Sequence, residues 1–163
     1  MKINETIKIK DGIINFKCLG NKCPQNCCGP YEGAVTGIES IDEFGFHNTF
    51  LTEEDVIKLQ QNGYGFYINT LPTGEKVMKL NPDNSCFAFQ DGKCTIHAFK
   101  PTLCRAYPFY IDMFSGLCGI TDKCPGFGAG ETLLEDMIND IRASTEMYMH
   151  WLKQIEKSKL CGK

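Results

Sequence analysis

The sequence predicts an α+β fold: one small domain over residues 1–163, with short antiparallel β-hairpins, cysteine-rich metal-binding loops and a long C-terminal helix. Three observations predict it. Asp-Gly pairs recur between short apolar runs, which is a hairpin signal. Ten cysteines concentrate in segments rich in Gly and Pro. An apolar stripe at helical spacing fills the C-terminal stretch. At 163 residues the chain fits one domain, and 42% apolar with 23% charged residues lets it build a core.

The elements follow in order. Ile7 to Lys10 and Ile13 to Lys17 flank Asp11-Gly12 and read as a hairpin that delivers the chain to its first cysteines. Gly29 to Gly45 reads as loop. Thr52 starts a helix: TEED supplies an N-cap with acidic residues in the first turn, and Val56, Ile57 and Leu59 give an apolar side. Asn62-Gly63 stops it. Phe66 to Ile68 and Lys76 to Leu80 are expected strands joined by LPTGE. Cys86 to Phe89 and Cys94 to His97 form a hairpin around Asp91-Gly92, with Asp91 a turn residue. Pro101 opens a short helix that Pro108 ends. Phe109 to Phe114 and Leu117 to Ile120 pair across Ser115-Gly116. CPGFGAGE then leads into a helix from about Thr132 to Lys157. Its apolar stripe (Leu133, Leu134, Met137, Ile138, Ile141, Met147, Tyr148, Trp151, Leu152, Ile155) is read as a core face.

Charge and leader signals narrow the function classes. The formal net charge is −3 with no long basic run, so a nucleic acid is not expected as the main partner. No run of 18 apolar residues occurs, and MKINETIKIKDG has no apolar leader core; the expectation is a cytoplasmic chain that does not bind a membrane. Thiols are kept reduced there, so the ten cysteines are read first as metal ligands rather than disulfides.

Their spacing supports this. Cys18, Cys23, Cys27 and Cys28 place four thiols in eleven residues with Gly20, Pro24 and Gly29 nearby. Such a run fits neither a regular helix nor a strand, and it can loop around one ion or cluster. Close thiolates repel, and a cation removes that cost. The spacing is looser than the paired C-x2-C of zinc ribbons. Cys23-Pro24 and Cys124-Pro125 echo the Cys-Pro ending of bacterial ferredoxin ligand runs. In the second block, Cys86 and Cys94 lie on opposite strands of the expected hairpin, where both thiols can face one site, and Cys104-Arg105 follows on the short helix. Cys118 and Cys124 come next, then Cys161 near the C-terminus.

The Cys-Cys block followed by CFAFQDGKCTIHAFKPTLCRAYPF resembles the YkgJ-type proteins, described as zinc- or iron-chelating domains. The resemblance covers about Phe16 to Phe109, with CPGFGAGE similar to the ending of many members. Lys100 stands where the family usually has Arg. The first block, C-x4-C-x3-CC, is longer than the usual C-x2-C-x2-CC and resembles the flagellin lysine N-methylase branch, whose members are thought to carry an iron–sulfur cluster. That branch is much longer than this chain, and no S-adenosylmethionine fold is legible here. The resemblance implies Cys18, Cys23, Cys27, Cys28, Cys86, Cys94 and Cys104 as metal ligands, with Cys124 as the eighth. Cys118 matches less clearly and Cys161 not at all.

Two functions follow as expectations. One is a metal-binding protein holding a [4Fe–4S] cluster, favoured over zinc because four thiolates suit a cube and histidine is scarce. The other is a metalloenzyme acting on a peptide or protein substrate. Arg105, one of only two arginines, is a candidate to hydrogen-bond cluster sulfurs or an anionic substrate, or to form a structural ion pair. His97 follows Cys94 closely; a strand position is preferred over ligation. His47 and His150 are read as surface residues. Oligomeric state is not legible.

Overall fold

The computed structural model describes residues 11–19, 28–29, 49–72, 74–111, 118–120 and 124–161. In chain order its elements are β1 (Ile13–Phe16), α1 (Glu53–Gln61), β2 (Ile68–Thr70), β3 (Lys76–Met78), β4 (Phe89–Gln90), β5 (Lys93–Cys94), α2 (Thr102–Ala106), β6 (Phe109–Ile111), β7 (Cys118–Ile120), β8 (Phe127–Leu133) and α3 (Leu134–Cys161). The strands form separate two-stranded antiparallel pairs: β1 with β8, β2 with β3, β4 with β5 and β6 with β7. This is the expected α+β class.

Asp11 and Gly12 have φ of 56° and 75°, the backbone of a two-residue hairpin turn. The expected partner strand, Ile7 to Lys10, lies outside the described residues. Within them β1 pairs with β8, where the sequence pattern predicts only a Gly-rich lead into the helix. The reason is close approach. A Cβ on Gly126 would sit 2.6 Å from the Lys17 carbonyl oxygen and 2.7 Å from the Phe16 ring, so only glycine lets the two backbones meet. The Lys17 N–H then donates to the Gly126 carbonyl at 3.0 Å.

Thr52 caps α1 as expected. Its hydroxyl accepts from the Asp55 N–H at 3.1 Å, and its own N–H donates back to the Asp55 carboxylate at 3.0 Å. Leu59 is buried by this helix, whereas Ile57, expected on the apolar side, is exposed. Phe66 lies in a 3₁₀ turn, Gly65–Tyr67, so the strand starts at Ile68 instead. The hairpin around Asp91-Gly92 forms with φ of 49° and 74° but is only two residues deep on each side. Residues 112–117, the expected turn between β6 and β7, lie outside the described residues, as does most of Gly29 to Gly45.

Apolar packing falls into connected clusters. Leu51, Leu59, Tyr67, Met78, Ala88 and Ile96 form the first, with Cys86. Ile14, Phe16, Phe109 and Ile120 form the second, covered by Met137 and Ile141 of α3. Ala106, Ala143 and Met147 lock α2 against α3, flanked by Leu103 and Trp151. The helix has 28 residues, about 42 Å at the α-helical rise. Its inward face runs through Met137, Ile141, Ser144 and Met147 to Trp151. Leu133 and Ile138, assigned to that face from the sequence, are exposed. Leu133 ends β8 rather than joining the helix. Among the described residues, no helix is long and apolar enough to cross a membrane.

Candidate metal centre

The first core carries three of the candidate thiols. Cys86 is buried within it, and Cys28 and Cys94 pack on its rim. The Cys86 N–H donates to the Cys28 carbonyl at 2.7 Å, which brings the end of the first cysteine block to the second. The turn before Cys86 is fixed by polar side chains. Asp83 accepts from the Ser85 N–H at 2.9 Å and hydroxyl at 2.6 Å, and the Asn81 amide donates to the Ser85 hydroxyl and the Cys86 carbonyl. Leu80 and Cys86 bridge in antiparallel fashion. Cys86 therefore lies before the β4–β5 ladder, and Cys94 pairs with Phe89.

Cys94 is held by its neighbours. The Thr95 N–H and hydroxyl both donate to the Ala88 carbonyl, at 2.8 and 3.0 Å, and the Tyr67 hydroxyl meets the Thr95 hydroxyl at 3.2 Å. The Cys28 thiol hydrogen-bonds to Cys94 and brings its pKa down to about 6. Burial opposes this, while the Ile96 N–H and the Lys100 charge assist it. A lowered thiol pKa favours the thiolate, which is the form that binds metal. Lys100 thus places positive charge at the thiolate. His97 is exposed at the start of the 3₁₀ turn His97–Phe99.

The remaining thiols are distributed over the second half. Cys104 is half-buried on α2. Cys124 packs on the second core, two residues before Gly126, and Cys18 follows Lys17; the Lys17–Gly126 hydrogen bond brings these two stretches of chain to the same end of the β1–β8 ladder. Cys118 on β7 faces Ser144 of α3; burial raises its pKa and the Ser144 hydroxyl lowers it. Cys23 and Cys27 lie outside the described residues, as does the side chain of Cys161. Among the described residues, no group of three or more His, Cys, Asp or Glu side chains forms a metal-binding cluster.

Arg105 projects from α2 toward α3. Its Nη2 donates to the Thr102 hydroxyl at 3.2 Å and pairs with Glu146 at 3.3 Å, while its Nε is buried with no hydrogen-bond partner. The ion pair is the structural alternative considered for this residue; the orphaned Nε is a donor in reserve. Two residues carry geometry that the sequence did not single out. Asp55 is buried at 5% exposure and accepts from the Thr102 N–H and hydroxyl, both at 2.9 Å. Ser144 is buried against Cys118. Asp55 reads locally as a capping residue, and its second partner lies far along the chain, so no local pattern announces it.

The donor chemistry fits a soft metal. The thiols of Cys28 and Cys94, with thiolate character at Cys94, suit zinc or iron better than a hard cation. The comparisons with known proteins agree at this level. Residues 17–126 match the family model CxxCxxCC, described as "Putative zinc- or iron-chelating domain". No curated protein and no solved structure matches the chain.

Proposed function

Because the chain belongs to the CxxCxxCC family of zinc- or iron-chelating domains, we propose that it chelates iron as a [4Fe–4S] cluster. Its ligands are drawn from Cys18, Cys23, Cys27, Cys28, Cys86, Cys94, Cys104 and Cys124. The observation that carries the reading is the meeting of the two cysteine blocks on one core: the Cys86 N–H donates to the Cys28 carbonyl at 2.7 Å, with Cys28 and Cys94 packed on the rim of the cluster that buries Cys86. The exposed position of His97 supports an all-thiolate donor set, and the buried Nε of Arg105 supports a nearby sulfur or other acceptor. When bound, the cluster supplies soft iron and one-electron redox chemistry. The chain's part is to hold thiolates ready, with Lys100 offsetting their charge, and to shield them against the first core.

The test is purification without air, followed by iron, zinc and acid-labile sulfide analysis. The expected protein is brown, with iron and sulfide in comparable amounts and broad absorbance near about 400 nm. Cys28→Ser and Cys94→Ser should lower the iron content, and Cys161→Ser should not. A colourless protein with stoichiometric zinc and no sulfide would replace the cluster with a zinc thiolate site.

A further inference from the structure

We propose that Asp55 is a positioning residue for the metal centre: through Thr102 it sets the helix that presents Cys104. The inference rests on Cys104 being a ligand, as proposed above. Asp55 is 5% exposed and serves two elements at once. One carboxylate oxygen accepts from the Thr52 N–H at 3.0 Å and completes the capping box of α1. The other accepts both the N–H and the hydroxyl of Thr102 at 2.9 Å, at the first residue of α2. Cys104 lies two residues further on. Thr102 passes the connection onward, since its hydroxyl accepts from Arg105, which pairs with Glu146 on α3.

A capping role alone requires acceptance on one side only. Here three donors converge on both oxygens of one buried carboxylate. An amide of the same shape cannot satisfy them, because its NH2 would face a donor whichever way it turned. A helix of five residues has little intrinsic stability, so its placement depends on such external ties. Residues that orient metal ligands from behind typically change metal affinity by about 10- to 100-fold when lost.

The experiment follows the rate at which the full-length protein, purified without air, gives up its bound iron or zinc to a chelator. Five proteins are compared: the unaltered chain, Asp55→Asn, Cys104→Ser, the double variant of these two, and Thr102→Val. Circular dichroism checks that each is folded, and Thr102→Val serves as a second probe that removes the hydroxyl while keeping the side-chain shape. The expected result is about 10- to 100-fold faster metal loss for Asp55→Asn, a smaller acceleration for Thr102→Val, and no further acceleration by Asp55→Asn once Cys104 is Ser. Unchanged loss in Asp55→Asn, or an effect that multiplies with that of Cys104→Ser, overturns the proposal and leaves Cys104 as ligand intact. Unchanged loss in Cys104→Ser overturns the ligand assignment and the positioning role together.

Discussion

Asp83 is a useful starting point because its chemistry is local. The hydroxyl and then the N–H of Ser85 hydrogen-bond its carboxylate and lower its pKa from the ordinary aspartate value. A depressed carboxylate contributes stability above its unfolded value and loses it as pH falls through the folded one. The contribution is therefore intact at neutral pH and is lost only under strongly acidic conditions, and at this exposed carboxylate solvent screening keeps it small. NMR titration should find the Asp83 carboxyl below the ordinary aspartate range, and Ser85→Ala should move it upward. Thr95 supports the other side of the candidate site. Thr95→Val removes hydrogen bonds to Ala88 and Tyr67 and should cost about 1 kcal/mol in chemical denaturation. An unchanged midpoint would show that these bonds do not hold Cys94. Neither role was legible in the sequence: Asp83 lies in a stretch assigned to no element, and Thr95 was expected within the strand Cys94 to His97, whereas β5 ends at Cys94. A turn signal specifies backbone angles, not which distant carbonyl or hydroxyl a side chain meets.

At the level of elements, the legible features were those coded locally. Thr52 and Asp55 announced α1, Asp91-Gly92 announced β4–β5, and the apolar stripe announced α3. The strand β8 was not legible because FGAGE lacks β-branched residues. It pairs because Gly126 admits Lys17 and Phe16 against it, a requirement visible only with β1 in place. Gly126→Ala should destabilise the fold by about 2 kcal/mol, as overpacking against a fixed carbonyl does. Calorimetry showing no loss would mean that the β1–β8 contact is looser than described. The exposed Leu133 and Ile138 have the same lesson in reverse. Their spacing matches the apolar stripe, but Leu133 belongs to β8, which ends at the residue before the helix starts.

Across the whole molecule, the candidate site draws on segments widely separated in sequence. Cys28 and Cys94 meet on the first core, while Cys104 is placed from α1 through Asp55 and from α3 through Arg105. The sequence identified the cysteines as a group by count and spacing. It did not divide them, because division depends on how α2, β5 and the first block are brought together. If metal binding supplies folding energy to these segments, removing it should affect them unequally. Hydrogen exchange after demetallation should quicken at the amides of Cys86, Cys94 and Thr95. Ala143 to Met147 of α3, packed against α2, should stay protected. Equal loss of protection everywhere would make the metal a support for the entire fold.

The proposed site holds its metal through cysteine sulfur alone. X-ray absorption at the iron and zinc edges, on protein purified without air, reads that directly. The expected result is a first shell of sulfur only, at about 2.3 Å, with iron as the metal and iron neighbours beyond it. A first shell of nitrogen or oxygen, or protein that carries neither metal, would contradict it.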